Sequence, residues 1–213
     1  MNEHLLRFDK TKKLLFFDFE TENLCLNFVN NRPWQLGYLI VQGDEIIKQK
    51  DFLIKWGDRK INVSKEAAII THFDIFKYEK EGVEEHLIFD DFYKDLCEAD
   101  KICGHNILNF DMFLLKEWCL QHNKEFKDFT KKVIDTHCIA KGIKINYFYK
   151  PENDFLEYQF KMLNTIKKGV KTRLEILGKE LNITHDYSRL HDALNDIDLN
   201  RKIWNVLKFQ VEI

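Results

Sequence analysis

Apolar residues crowd the stretch LLFFDFE (14–20) as they do in a strand that enters the middle of a sheet, yet Asp18 and Glu20 interrupt it. WQLGYLIVQ (34–42) and EIIKQKDFLIKW (45–56) are two more strand patterns, and Gly43 and Asp44 supply a hairpin turn between them. The pattern then turns helical. SKEAAIITHF (64–73) predicts one helix and EEHLIFDDFYKDLCEA (84–99) another, the latter with Leu87, Ile88, Phe92 and Leu96 at helical spacing. KICG (101–104) is a short buried strand, DMFLLKEWCLQHN (111–123) a helix starting at Asp111, and VIDTHCIA (133–140) a fifth strand and turn. LEILGKELNI (174–183) and ALNDIDLNRKIWNVLKF (193–209) close the chain as helices, the last amphipathic through Ile197, Ile203, Trp204 and Leu207. The polar, aromatic-rich segment 145–170 shows no readable period.

Three meandering strands followed by helix–strand alternation predict an α/β domain: a mixed five-stranded sheet, ribonuclease H-like, with helices on both faces. At 213 residues one domain over 1–213 is expected, with 145–170 as an extra segment. Hydrophobic residues at 45% and charged residues at 32% indicate a packed, soluble chain. No stretch approaches the roughly 20 apolar residues that cross a bilayer, and no signal-peptide core opens the sequence, so a cytoplasmic protein is expected. The five cysteines form no C-x-x-C pair and are expected to be reduced core thiols. Net charge is only -2, but from Lys116 to Arg173 basic residues outnumber acidic ones by roughly two to one. That excess suits a polyanionic partner as well as it suits a solvated lysine-rich face.

Strand side chains alternate, so Asp18 and Glu20 share one surface, with Phe17 and Phe19 on the other. Two carboxylates in an apolar strand repel each other and resist ionisation unless a cation offsets the cost, and the usual partner of hard oxygens is a divalent metal. The alternative is a strand that ends here in solvent. Asp111 follows a short strand, at a junction that lines ligand crevices in open α/β sheets, though a lone Asp there also serves as a helix cap. In RLHDALNDIDLN, His191 and Asp196 lie about 140° apart on a regular helix, which places His191 in the preceding loop or first turn.

DFET, then GHN with NFD, then HDALND together resemble the three motifs of the DEDDh family of 3'-5' exonucleases, and the likeness continues through most of the intervening chain. The resemblance implies that Asp18, Glu20, Asp111 and Asp196 bind two Mg²⁺ or Mn²⁺ ions and that His191 is the general base. It implies that Thr21 holds the terminal nucleotide. Leu24, His72, Phe73 and Phe110 are candidate contacts to the terminal nucleotides, and the lysines of 167–173 candidate phosphate contacts. Three residues separate Asn106 from Phe110 where many members have two, which bears on the local loop but not on Asp111. The expected activity is stepwise hydrolysis of single-stranded DNA from its 3' end, in proofreading or end-trimming. RNA as the substrate is the alternative, and a non-catalytic nucleic-acid-binding or polymerase-docking module the third reading. Expected partners are single-stranded 3' ends and, for proofreading, a DNA polymerase on a separate chain.

Overall fold

The structure, a computed structural model, describes residues 5–126 and 128–213. Strands β1 (Lys13–Thr21), β2 (Pro33–Gln42) and β3 (Glu45–Lys55) form the meander, and Gly43 turns the β2–β3 hairpin at φ +62°. β4 (Val83–Glu84), β5 (Lys101–Gly104) and β6 (Val133–Asp135) complete a sheet of order β4-β3-β2-β1-β5-β6. β5 runs parallel to β1, and β6 parallel to β5. The mixed α/β, ribonuclease H-like sheet is the expected one, with six strands rather than five. The addition is β4, whose two residues are too short to carry a period and pair only with Ile54 and Lys55.

Alternation along β1 feeds two cores. Leu15, Phe17 and Phe19 pack on one face against α3 (Glu85–Glu98) and α4 (Asp111–Gln121), through Phe92, Leu115 and Trp118. Phe16 packs on the other against α5 (Thr136–Lys144), α7 (Leu174–Glu180) and α8 (Ala193–Leu207). Asp18 and Glu20 share the face of Phe16 and so look toward α8. That helix lies very close to the sheet: a Cβ added at Gly37 would stand 2.9 Å from the Leu194 amide nitrogen and 3.0 Å from the Ala193 carbonyl carbon.

Four expectations need correction. The segment 64–73 is not one helix running to Phe73. α1 (Lys65–Thr71) stops at His72, which adopts a left-handed φ of 55°, and Asp74 caps a separate α2 (Ile75–Glu81) through the amides of Phe76 and Lys77. The fifth strand pattern ends at Asp135, because that side chain accepts from the His137 amide and starts α5. Leu87 is 60% exposed, on the solvent side of the α3 stripe that Ile88, Phe92 and Leu96 bury. Cys25 is an exposed thiol, while Cys103, Cys119 and Cys138 are buried.

Within 145–170 the structure forms α6 (Phe155–Asn164), capped by Asp154. Its Gln159 is fully buried. The Gln159 amide oxygen accepts from the Asp135 backbone N–H at 2.6 Å and its nitrogen donates to the Val133 carbonyl at 3.0 Å, so one side chain pairs with β6 as a neighbouring strand would.

Candidate active site

Three elements converge on one cleft. β1 supplies Asp18 and Glu20 from its C-terminal half, α4 supplies Asp111 at its first residue, and α8 supplies Asp196 in its first turn. The pairing of β1 with β5 ends at Phe16, so the Phe19 amide beyond it has no strand partner on that side; the Asp111 carboxylate accepts its hydrogen bond at 3.1 Å. Asp111 is thereby fixed against the strand that carries the first two acids. His191 sits in the loop before α8, at a left-handed φ of 69°, and its backbone N–H points at both Asp196 oxygens at 3.3 Å. Ligand atoms of Glu20, His191 and Asp196 all lie within 4.8 Å of one another, with Asp18 and Asp111 outside this closest group.

The electrostatics are those of carboxyls that resist ionisation in the absence of a cation. Burial is the largest influence on each acid. It holds the Asp18 carboxyl well above the usual carboxylate range, with Asp111, Glu20 and Asp196 adding repulsion. Glu20 is raised in the same way, with Asp196 and Asp111 as its main neighbours. Asp111 is pushed up to about 7 even though the Phe19 amide pulls it down, and Asp196 to about 7 against the pull of the His191 amide. No hydrogen bond or ion pair among the described residues reaches the carboxylates of Asp18 and Glu20. An all-oxygen, doubly unpartnered set of this kind fits a hard divalent cation such as Mg²⁺ or Mn²⁺. The His191 imidazole is held below its ordinary pKa, first by burial and then by His72, so it is neutral near pH 7.

The expected substrate contacts divide. Thr21 is buried, and its hydroxyl donates to the Asn23 carbonyl at 2.6 Å. Leu24 is 87% exposed on the loop after β1. Phe110 is partly buried against the core at the head of α4, and Phe73 packs edge-on against Trp34 at 4.9 Å and near Tyr78, so both do core work. His72 borders a cavity of about 360 Å³ that Trp34, Gln35, Lys77, Arg189 and Asp192 also line.

Two acids that sequence reasoning passed over shape the rim. Glu22, buried, binds the Arg59 guanidinium, the Arg32 amide at 2.8 Å and the Asn62 amide at 2.5 Å, tying the loop after β1 to the loop after β3. Asp135, also buried, accepts from the amides of Asn106 at 2.9 Å and Leu108 at 3.1 Å, which sets the GHN turn that leads to Asp111. Burial raises its carboxyl to about 6 against those hydrogen bonds. Glu22 reads in sequence as the start of a turn and Asp135 as the end of a strand; neither pattern signals burial.

No family model matches the chain, and no curated protein matches it. Solved structures do. E. coli exonuclease I in complex with a dA16 oligonucleotide superposes with a TM-score of 0.72 at 19% identity, over 94% of this chain and 41% of that one. The dT13 complex of the same enzyme gives 0.73 at 19% identity, over 94% and 42%. Its zinc-bound complex with single-stranded DNA gives 0.71 at 20% identity, over 93% and 41%. The chain thus spans about two fifths of the length of the proteins it matches. At these identities the likeness shows the fold alone: nearly all of this chain takes the fold of one part of exonuclease I.

Proposed function

We propose that this chain is a metal-dependent 3'-5' exonuclease of the DEDDh type that removes nucleotides from the 3' end of single-stranded DNA. The observation that carries this reading is the meeting of four carboxylates from β1, α4 and α8, with no cation among the described residues paired to them, beside a neutral histidine. Fold likeness to an exonuclease crystallised on single-stranded oligonucleotides supports it. Asp18, Glu20, Asp111 and Asp196 would hold two divalent ions, which, when bound, stabilise the charge that develops on a phosphodiester during in-line displacement. His191 accepts the proton of the attacking water on an imidazole nitrogen, and its lowered pKa keeps it ready to do so at neutral pH. The Asp196 carboxylate orients the His191 backbone, and the Asp111–Phe19 hydrogen bond keeps the acids in register with β1.

The fold subserves one exonuclease domain in this reading. No helix among the described residues is long and apolar enough to cross a membrane. Five cysteines, none in a disulfide among the described residues, suit a reducing, cytoplasmic setting. In a proofreading role the strand end would come from a DNA polymerase; in end-trimming it would come from free single strands. The test is a degradation ladder on matched DNA and RNA oligonucleotides labelled at the 5' end, with Mg²⁺ or with chelator. A single-nucleotide ladder on DNA that chelator and Asp18→Ala both abolish is expected. Unchanged cutting in excess chelator, or efficient cutting of circular strands, would overturn the reading, and a strong preference for the RNA would move the substrate to that polymer.

A further inference from the structure

The segment between α6 and α7 carries Lys167, Lys168, Lys171 and Arg173, and no acidic residue occurs between Glu157 and Glu175. None of these four cations enters an ion pair or side-chain hydrogen bond among the described residues. Elsewhere lysines are commonly matched: Lys48, for example, bridges Asp91 at 2.9 Å and Asp95 at 2.6 Å. The loop also stands clear of the body. Ile166 is 98% exposed, and at Gly169, with φ +85°, a Cβ would meet nothing within 4 Å.

Although open, the loop is pinned at one residue. Thr172 is buried, and its hydroxyl meets His137 Nδ1 at 2.9 Å. The Thr172 carbonyl faces both His137 and His105, whose rings lie edge to face at 5.6 Å. His105 Nδ1 reaches the Thr136 hydroxyl at 3.0 Å, and that hydroxyl donates to Asn200 of α8 at 2.5 Å, one turn beyond Asp196. Next to Thr172, the Lys171 carbonyl accepts from Lys144 Nζ at 2.5 Å. The anchor therefore fastens a strongly basic loop to the helix that carries a catalytic acid. At its far end the loop runs into α7, whose first-turn Glu175 pairs with Lys179 at 2.5 Å and leaves Arg173 without an ion pair among the described residues.

We propose that the loop 166–173 is a rail for the phosphates of the strand on the 5' side of the bond being cut, a role that rests on the exonuclease reading above. Unpaired cations on a loop tied to α8, the helix of Asp196, match a ligand with one negative charge per nucleotide, and the open backbone at Gly169 lets that ligand approach. The neutral anchor adds no charge of its own, so Thr172 and the two histidines position the rail without competing for phosphate.

The experiment is equilibrium binding of a fluorescent dT16 strand in chelator, from 50 to 200 mM salt, to the wild-type protein and to Lys167→Gln/Lys168→Gln/Lys171→Gln. Each phosphate contact on a single strand contributes about 0.7 to the salt slope, so the variant should lose about 2 from it, and across this range wild-type affinity should fall about 20-fold more than that of the variant. A control triple, Lys94→Gln/Lys116→Gln/Lys124→Gln, on exposed positions of α3, α4 and the turn after α4, should keep the wild-type slope. A wild-type slope in the loop variant, or an equal loss in the control, overturns the rail and leaves the exonuclease reading standing. A wild-type protein that fails to bind dT16 at all overturns both.

Discussion

Replacing Asp111 by Asn removes one of four mutually repelling carboxylates while leaving an oxygen to accept the Phe19 amide, so the two proteins differ mainly in charge. In the folded, metal-free protein Asp111 holds its proton up to about pH 7. In the unfolded chain it loses it near the ordinary value of about 3.9. Between those limits the folded state binds more protons than the unfolded one, so this group makes wild-type stability fall as pH rises. His105 and His137, held down at about 3 and about 4, act in the opposite direction across an overlapping range. The absolute stability curve therefore mixes two trends, and only the difference between wild type and variant isolates the acid. From pH 5 to pH 7 that difference should grow by about 3 kcal/mol in favour of the Asp111→Asn variant, then level off, because two pH units at 1.36 kcal/mol each separate the start of the range from the folded-state value. For a chain of this size that corresponds to a melting-temperature gap widening by about 9 °C. Thermal or urea unfolding in chelator at several pH values reads it directly, and added Mg²⁺ should favour the wild type. A gap that stays constant with pH, or that narrows, would refute the placement of Asp111 in a buried anionic cluster.

Three further outcomes follow from named contacts. His191→Ala should keep its affinity for a single strand while single-turnover cleavage falls by about 10² to 10⁴, and the wild-type rate should rise through an inflection below the ordinary histidine pKa that the variant lacks. Near-normal turnover would remove His191 from the chemistry. Gly37→Ala should push α8, and Asp196 with it, off β2. A loss of about 1–3 kcal/mol in urea unfolding is expected, together with a fall in cleavage rate of about 10²-fold that Mg²⁺ does not rescue; an unchanged rate would mean that α8 need not sit this close. Gln159→Leu leaves the Asp135 amide and the Val133 carbonyl buried without partners, at a cost of about 3 kcal/mol, and hydrogen exchange at Asp135 should accelerate sharply.

The meander and the helices α3, α4, α7 and α8 were legible because each has a local cause, whereas the joining of Asp111 and Asp196 to the acids of β1 was implied by the resemblance of the three motifs. Alternation puts Asp18 and Glu20 on one face, and Asp111 heads the helix that follows a short strand, at a crevice junction. What the sequence hid depends on partners far along the chain. Gln159 looks like any polar helix residue until the β6 backbone, 24 positions earlier for Asp135, is placed beside it. The break between α1 and α2 turns on a left-handed His72, a conformation that neither composition nor period marks. Asp135 was readable as an acid at a strand end, but its partners in the Asn106 and Leu108 amides exist only once the GHN turn has folded over it.

The pairing of Gln159 with β6 bears on how this chain meets other proteins. A sheet normally ends in a row of free donors and acceptors, which is an invitation to a foreign strand. On the β6 side a glutamine amide already answers that row. On the opposite side β4 meets only the last two residues of β3, and the uncovered part of β3 carries Lys48, Lys50 and Asp51, charges that discourage an incoming strand. The two borders are thus guarded by different devices, one by saturation and one by charge. A second copy of the chain, or any protein that works alongside it, has to bind through helix faces and loops rather than by extending the sheet, and the border with β6 would become adhesive only if α6 were lifted away.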